Sequence, residues 1–199
     1  MSLLQKSILE RISKENLGAF TASDFLDLAR HDAIRKTLDR LEDCGEIRRV
    51  IRGVYDMPSF NKNFKMFEPP KIDAIAYAIA RQNNWYICPS GNYALNKLGL
   101  STQVPAQYLF VSNGPYASYF IEGTQLIFKH TTNKEITSFS YITQLVIQAI
   151  KAIGREKILS DDILHLKKIL NSKDKKTLLS ESRKTSIWIY EIIKKICEE

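Results

Sequence analysis

Residues 32 to 57 place a helical stripe, a glycine and two short β-prone runs directly one after another, and few small folds accommodate that succession. Ile34, Leu38 and Leu41 recur at i, i+4 and i+7, which lines them up on one side of an α-helix over Asp32–Cys44. Gly45 stands where the helix must stop, because a left-handed residue closes the last turn there without a Cβ penalty. Glu46–Ile51 and Gly53–Met57 read as two strands, with Arg52-Gly53 as the tight turn between them.

The residues upstream extend the pattern. Leu4, Ile8, Leu9 and Ile12 form one stripe of a first helix over Ser2–Ser13, which Asn16 and Gly18 end. Thr21 is placed to cap a second helix over Ala22–Ala29, with Asp24 at its third position and Phe25 and Leu28 turned inward. Three short helices followed by a two-stranded ribbon is the layout of a winged helix-turn-helix, and residues 1–60 are assigned to one. In that fold the third helix enters the DNA major groove with the face opposite the core. With Ile34 pointing inward, Asp32, Arg35, Lys36, Asp39 and Arg40 lie on the far side. Arg35 and Arg40 carry forked donors suited to guanine edges or phosphates, whereas Lys36 is a point charge suited to phosphate. Arg48, Arg49 and Arg52 on the ribbon suit a wing laid along the backbone or in a minor groove. The plain alternative is a solvated face, with Asp39, Glu42 and Asp43 pairing with the basic residues and blunting their field.

Charge supports anionic partners but does not place them. The formal net charge is +7, yet residues 1–60 hold 10 Lys and Arg against 10 Asp and Glu. A DNA face at the N-terminus therefore has to come from sorting charge between faces. The three cysteines, Cys44, Cys88 and Cys197, are far apart and form no C-x-x-C, which argues against a disulfide framework or a zinc site. The opening MSLLQKSILERIS does not read as a leader, and no long apolar run suggests a membrane span. A cytoplasmic location is expected by default.

The rest of the chain reads as a second domain over residues 71–199. Pro58 to Pro70, with three prolines, reads as a linker. Lys71–Gln82 is a helix with Ile72, Ile75, Ala76 and Ile79 inward, and Trp85–Ile87 a short strand. A brief helix follows Ser90-Gly91 and ends near Leu98. Gln107–Ser112, Ala117–Glu122 and Gln125–His130 are strands separated by Asn113-Gly114 and Glu122-Gly123, as hairpin turns would be. Helices return over 139–153, 161–170 and 173–197, the last with a break near Ser182. The expected class is α+β: a winged helix-turn-helix, then a mixed α/β domain with a small antiparallel sheet and C-terminal helices.

No catalytic constellation emerges, so an enzyme is not expected, nor any cofactor or metal. His31 opens the third helix, and His130 and His165 lack ligand-spaced neighbours. Ser90-Gly91-Asn92 lacks the glycines and Lys of a P-loop and reads as a helix start. Tyr108, Phe110, Tyr116, Tyr119 and Phe120 read as core before they read as a stacking platform. Lys167, Lys168, Lys173, Lys175, Lys176, Arg183 and Lys184 make a basic tail that either extends a DNA footprint or is solvated. Trp188, Ile189, Ile192, Ile193 and Ile196 form a broad apolar face, for the chain's own core or for a homodimer seam.

IRKTLDRLEDCGEIRRVIRGVYDMP, with its Arg52-Gly53-Val54-Tyr55 step, resembles the wing region of the AbiEi-family antitoxins of type IV toxin–antitoxin systems. PSGNYALNKLGLSTQVP, from Pro89 to Pro105, resembles a further segment of that group. The resemblance implies a winged helix that binds double-stranded DNA at its own promoter as an autorepressor. It also implies a second domain that counteracts a nucleotidyltransferase-like toxin, which such an antitoxin need not bind stably. The rivals are a ligand-responsive winged-helix regulator with no toxin partner, a nucleic-acid-processing enzyme, and an interaction module that has lost DNA.

Overall fold

The computed structural model describes residues 1–132 and 136–198, and they form an α+β protein of two compact units. The first holds Met1–Trp85 with Phe120–Gly123, and the second holds Tyr86–Tyr119 and the residues from Thr124 on.

In the first unit, α1 (Leu3–Lys14) opens on a reciprocal cap in which the Ser2 hydroxyl accepts from the Gln5 amide and the Gln5 side chain accepts from the Ser2 amide. Strand β1 (Phe20–Thr21) leads into a single 3-10 turn, Ala22–Phe25, and then α2 (His31–Asp43). Strands β2 (Arg48–Ile51) and β3 (Val54–Asp56) follow, and the three strands form an antiparallel sheet in the order β1-β3-β2. Phe20 and Tyr55 face each other across it, as do Arg49 and Tyr55. Ile8, Ile12, Phe20, Phe25, Ile34, Leu38, Leu41, Ile47 and Tyr55 make one buried core.

The expected second helix over Ala22–Ala29 is only that 3-10 turn. Asp24 takes the Thr21 amide at 2.8 Å, and Arg11 holds Asp27 with contacts of 2.5 and 2.7 Å. Both carboxylates favour a capped turn over a continued helix.

The segment read as a linker is a small hairpin, β4 (Phe60–Asn61) against β5 (Met66–Phe67). Helix α3 (Ile72–Asn83), expected to open the second domain, packs in the first unit, so the division falls after Trp85 and not within 58–70. Gly18 makes this closeness possible: a Cβ there would lie 2.9 Å from that of Ala74. Arg81 on α3 binds both the Asp24 carboxylate, at 2.9 Å, and the Ala19 carbonyl, at 3.0 Å.

The second unit contains β6 (Ile87–Pro89), α4 (Gly91–Lys97), β7 (Gln107–Ser112), the first three residues of β8 (Ala117–Ile121) and β9 (Thr124–His130). Helices α5 (Tyr141–Ile153), α6 (Ser160–Ile169), α7 (Ser172–Ser182) and α8 (Ile187–Cys197) complete it. The sheet order is β6-β7-β9-β8. It is mixed and not purely antiparallel, because β7 and β9 run parallel from Gln107↔Gln125 to Ser112↔His130. The Asn113-Gly114 turn does not fold the chain back onto β7. The Asn113 side chain instead accepts from the Tyr86 amide, and the Gly114 carbonyl meets His130 Nδ1 at 2.8 Å. The turn is thus tied to Tyr86, just before β6, and to β9, and β9 takes the place beside β7.

The chain does break after Ser182, where the Thr185 amide and hydroxyl both donate to the Ser182 carbonyl. Ile189, Ile192, Ile193 and Ile196 on α8 are buried in this unit's own core with Val146, Ile150, Leu166 and Leu178. Among the described residues, no helix is long and apolar enough to cross a membrane.

Candidate nucleic-acid interface

Helix α2 presents its two faces as the spacing requires. Ile34, Thr37, Leu38 and Leu41 are buried, while Asp32, Arg35, Lys36 and Arg40 are exposed and Asp39 half-buried. No side-chain hydrogen bond or ion pair among the described residues engages Arg35, Lys36 or Arg40. Arg52 is equally unengaged and sits at the turn of the β2–β3 ribbon beside Gly53, whose φ of +79° suits a residue without Cβ. Arg35 and Arg52 line one groove of about 650 Å³, together with His31, Asp39, Arg49 and Tyr55.

The remaining two ribbon arginines are placed differently. Arg48 donates to both Asp56 oxygens, at 2.9 and 2.6 Å, and to the Glu68 carbonyl at 3.1 Å. Its hydrogen bond to Asp56 is the main reason its pKa lies above the ordinary value. This guanidinium braces the base of the ribbon and is not free to meet a ligand.

Arg49 lies over the Tyr55 ring, 5.3 Å from its centroid, and contacts Asp39 and Glu42 at 2.6 Å each. Burial works against its charge, but Tyr55, Glu42 and Asp39 outweigh that and hold its pKa above normal. The Tyr55 hydroxyl donates to the same Asp39 oxygen at 3.2 Å, and burial is the first cause of its raised pKa. Arg49 therefore pins the ribbon to α2. Two of the three acidic residues expected to blunt the basic face do so, but on Arg49, and the outer cations of α2 pair with none of the described residues.

The roles of Asp56 and Tyr55 escape a reading by spacing. A buried aspartate opposite an arginine on a paired strand is a signal only once the register Arg48↔Asp56 is known.

In the second unit, Ser90 stands at the start of α4 but makes no side-chain cap; its hydroxyl donates to Gln148 at 2.8 Å. Asn96 spans the following loop by donating to the Ser101 and Gln103 carbonyls. His165 meets the Leu98 carbonyl at 2.9 Å and packs against Gly99. Phe110 and Phe128 are buried and their rings pack together, with Tyr119 edge-on to Phe128. Tyr116 is exposed, as is Phe120 of the first unit. No group of three or more His, Cys, Asp or Glu among the described residues is placed to hold a metal ion.

Residues 7–178 match a family of unknown function, DUF6088. The chain belongs to that family. The match takes in nearly all of the first unit and most of the second, so both units are part of what DUF6088 proteins share. No curated protein matches this DUF6088 chain.

Proposed function

We propose that this chain is a DNA-binding transcriptional regulator that represses its own operon, with the first unit acting as a winged helix-turn-helix. The order of α1, β1, the 3-10 turn, α2 and the β2–β3 ribbon, with β1 paired to β3, supports that reading. Helix α2 is then the reading helix. The observation that carries the proposal is the groove flanked by Arg35 on α2 and Arg52 on the ribbon turn, both exposed and unpaired. A duplex seated there meets forked donors from two sides. Arg35 and Arg40 serve base edges or phosphates, Lys36 and Arg52 serve phosphates, and Arg48 and Arg49 hold the ribbon in place without touching DNA.

The antitoxin half of the proposal rests on the resemblance of Ile34–Pro58 and Pro89–Pro105 to the AbiEi group. It assigns neutralisation of a nucleotidyltransferase-like toxin to the second unit.

A titration against the duplex upstream of its own reading frame, at two salt concentrations and beside a scrambled duplex, tests the regulator. Selective binding that weakens steeply with salt is expected; equal affinity for both duplexes rejects it. Co-expression with a neighbouring nucleotidyltransferase-like reading frame tests the antitoxin role, and unrelieved toxicity rejects it.

A further inference from the structure

The β4–β5 hairpin carries an unusual density of exposed apolar side chains for its size. Phe60 is 52% exposed, Phe64 75%, Met66 58% and Phe67 58%. Phe60 and Phe67 pack edge to face across the strands, 5.3 Å between centroids, and this leaves Phe64 alone on the four-residue tip.

The tip is built, not slack. The Asn61 side-chain oxygen accepts from the Asn63 amide at 3.0 Å and the Phe64 amide at 3.3 Å, while its nitrogen donates to Glu68 at 3.4 Å. Lys65 adopts φ +51° to close the turn. The root is fixed as well. Glu68 donates its amide to the Ser59 carbonyl at 2.7 Å and gives its own carbonyl to Arg48, which is locked to buried Asp56.

An exposed aromatic held at the end of an anchored stalk marks a contact surface. The charge beside it selects the partner. Residues 57–67, MPSFNKNFKMF, contain two lysines and no acidic residue; Lys65 follows Phe64 in the tip and Lys62 precedes it by two positions. Cations on both sides of a projecting phenyl ring fit phosphates on both sides of a base step, where apolar wedges unstack and bend duplex DNA. We infer that this hairpin is a second DNA-contacting element: Phe64 wedges at a base step of duplex DNA while Lys62 and Lys65 hold the adjacent phosphates. The inference rests on the DNA-binding reading of the first unit and adds to it a site outside the α2 groove.

The full chain is titrated against the upstream duplex carrying 2-aminopurine at successive steps, with Phe64→Ala, Phe64→Trp, Lys62→Gln/Lys65→Gln and Arg35→Ala/Arg52→Ala compared. The expected result has four parts. Wild type raises the probe's fluorescence at one step. Phe64→Ala abolishes that rise and weakens binding roughly 5- to 150-fold, the range for losing one base–aromatic stack. Phe64→Trp restores both. The double lysine variant lowers the salt slope by about 2, near one unit per phosphate contact. Phe64 is exposed, so its variants fold as wild type.

If wild type binds, the Arg35/Arg52 variant weakens it and every hairpin variant binds and unstacks as wild type does, the inference is overturned and the regulator stands. Loss of a protein partner from Phe64→Ala with unchanged DNA binding overturns it in favour of a protein-docking hairpin. Failure of wild type to bind duplex at all overturns both readings.

Discussion

Arg48 sets one guanidinium edge, Nε and Nη2, on both oxygens of Asp56, whose carboxylate is almost wholly buried, and its Nη1 reaches on to the Glu68 carbonyl. One residue thus joins the base of the ribbon to the root of the β4–β5 hairpin. Asp56 has a solvated alternative only if the strand pair opens, so its partner cannot be removed without cost.

Arg48→Ala is expected to destabilise the first unit by about 3 kcal/mol, the lower end of the range for orphaning one member of a buried ion pair, because Arg48 is itself about a quarter exposed. Urea denaturation measures the loss. A change below about 0.5 kcal/mol, the level of an ordinary surface substitution, would show that the pair does not brace the ribbon.

Arg35→Ala and Arg52→Ala separate reading from holding. Arg35→Ala should cost about 1–3 kcal/mol of affinity for the cognate duplex and relax selectivity at one position; Arg52→Ala should weaken all duplexes alike and lower the salt slope by about 1. Arg49→Ala should instead cost about 1 kcal/mol of stability through lost contact with Tyr55, Asp39 and Glu42, and leave the salt slope unchanged. A slope reduced by Arg49→Ala as much as by Arg52→Ala would return Arg49 to the DNA face.

Gly18→Ala is expected to push α3 away from β1, since the added carbon would stand 2.9 Å from that of Ala74. A cost of about 1–3 kcal/mol, the range for overpacking, should appear in thermal unfolding. Ala74→Gly in the same chain should relieve the clash, and a double variant no more stable than Gly18→Ala would argue against this close approach.

Cys88 and Cys44 should differ in reactivity. Cys88 is fully buried and burial alone raises its thiol from 9.0 to about 12, while Cys44 is exposed. A thiol reagent should modify Cys44 promptly in the native protein and Cys88 only on unfolding. The folded pKa lies above the unfolded one, so this group's contribution is complete below about pH 9. It is lost as pH rises toward 12, at about 1.4 kcal/mol per pH unit. Cys88→Ala, measured over that interval, should flatten the fall by that amount; an unaltered slope would remove the thiol as its source.

How far the sequence disclosed all this depends on the range of the interactions involved. Helix α2 and its outer cations were legible because Ile34, Leu38 and Leu41 repeat along one helix and Gly45 ends it. The separate fates of Arg48, Arg49 and Arg52 were not, since they depend on partners across the sheet or on α2. The β4–β5 hairpin lay hidden among prolines because its turn is made by the Asn61 side chain and not by a glycine pair. The apolar stripe of α3 announced a buried helix without naming its core; Gly18 and Arg81 decide that from far along the chain. The seat of β9 beside β7 depends on what Asn113 and Gly114 bind, and those partners are Tyr86, just before β6, and His130 on β9.

The spread of the buried clusters along the chain also sets a timetable for synthesis. One buried cluster of the first unit draws on residues between Ile8 and Tyr55, a short local stretch that is made early as the chain emerges from the ribosome. A cluster of the second runs from Cys88 to Ile196, and Glu181 clasps the start of α5 by accepting from both the Ser140 amide and its hydroxyl at 2.9 Å. The apolar face of α5 must therefore wait for α7 and α8 before it can be covered. During that interval the nascent protein already owns its basic groove, while its second half is still open to capture by chaperones.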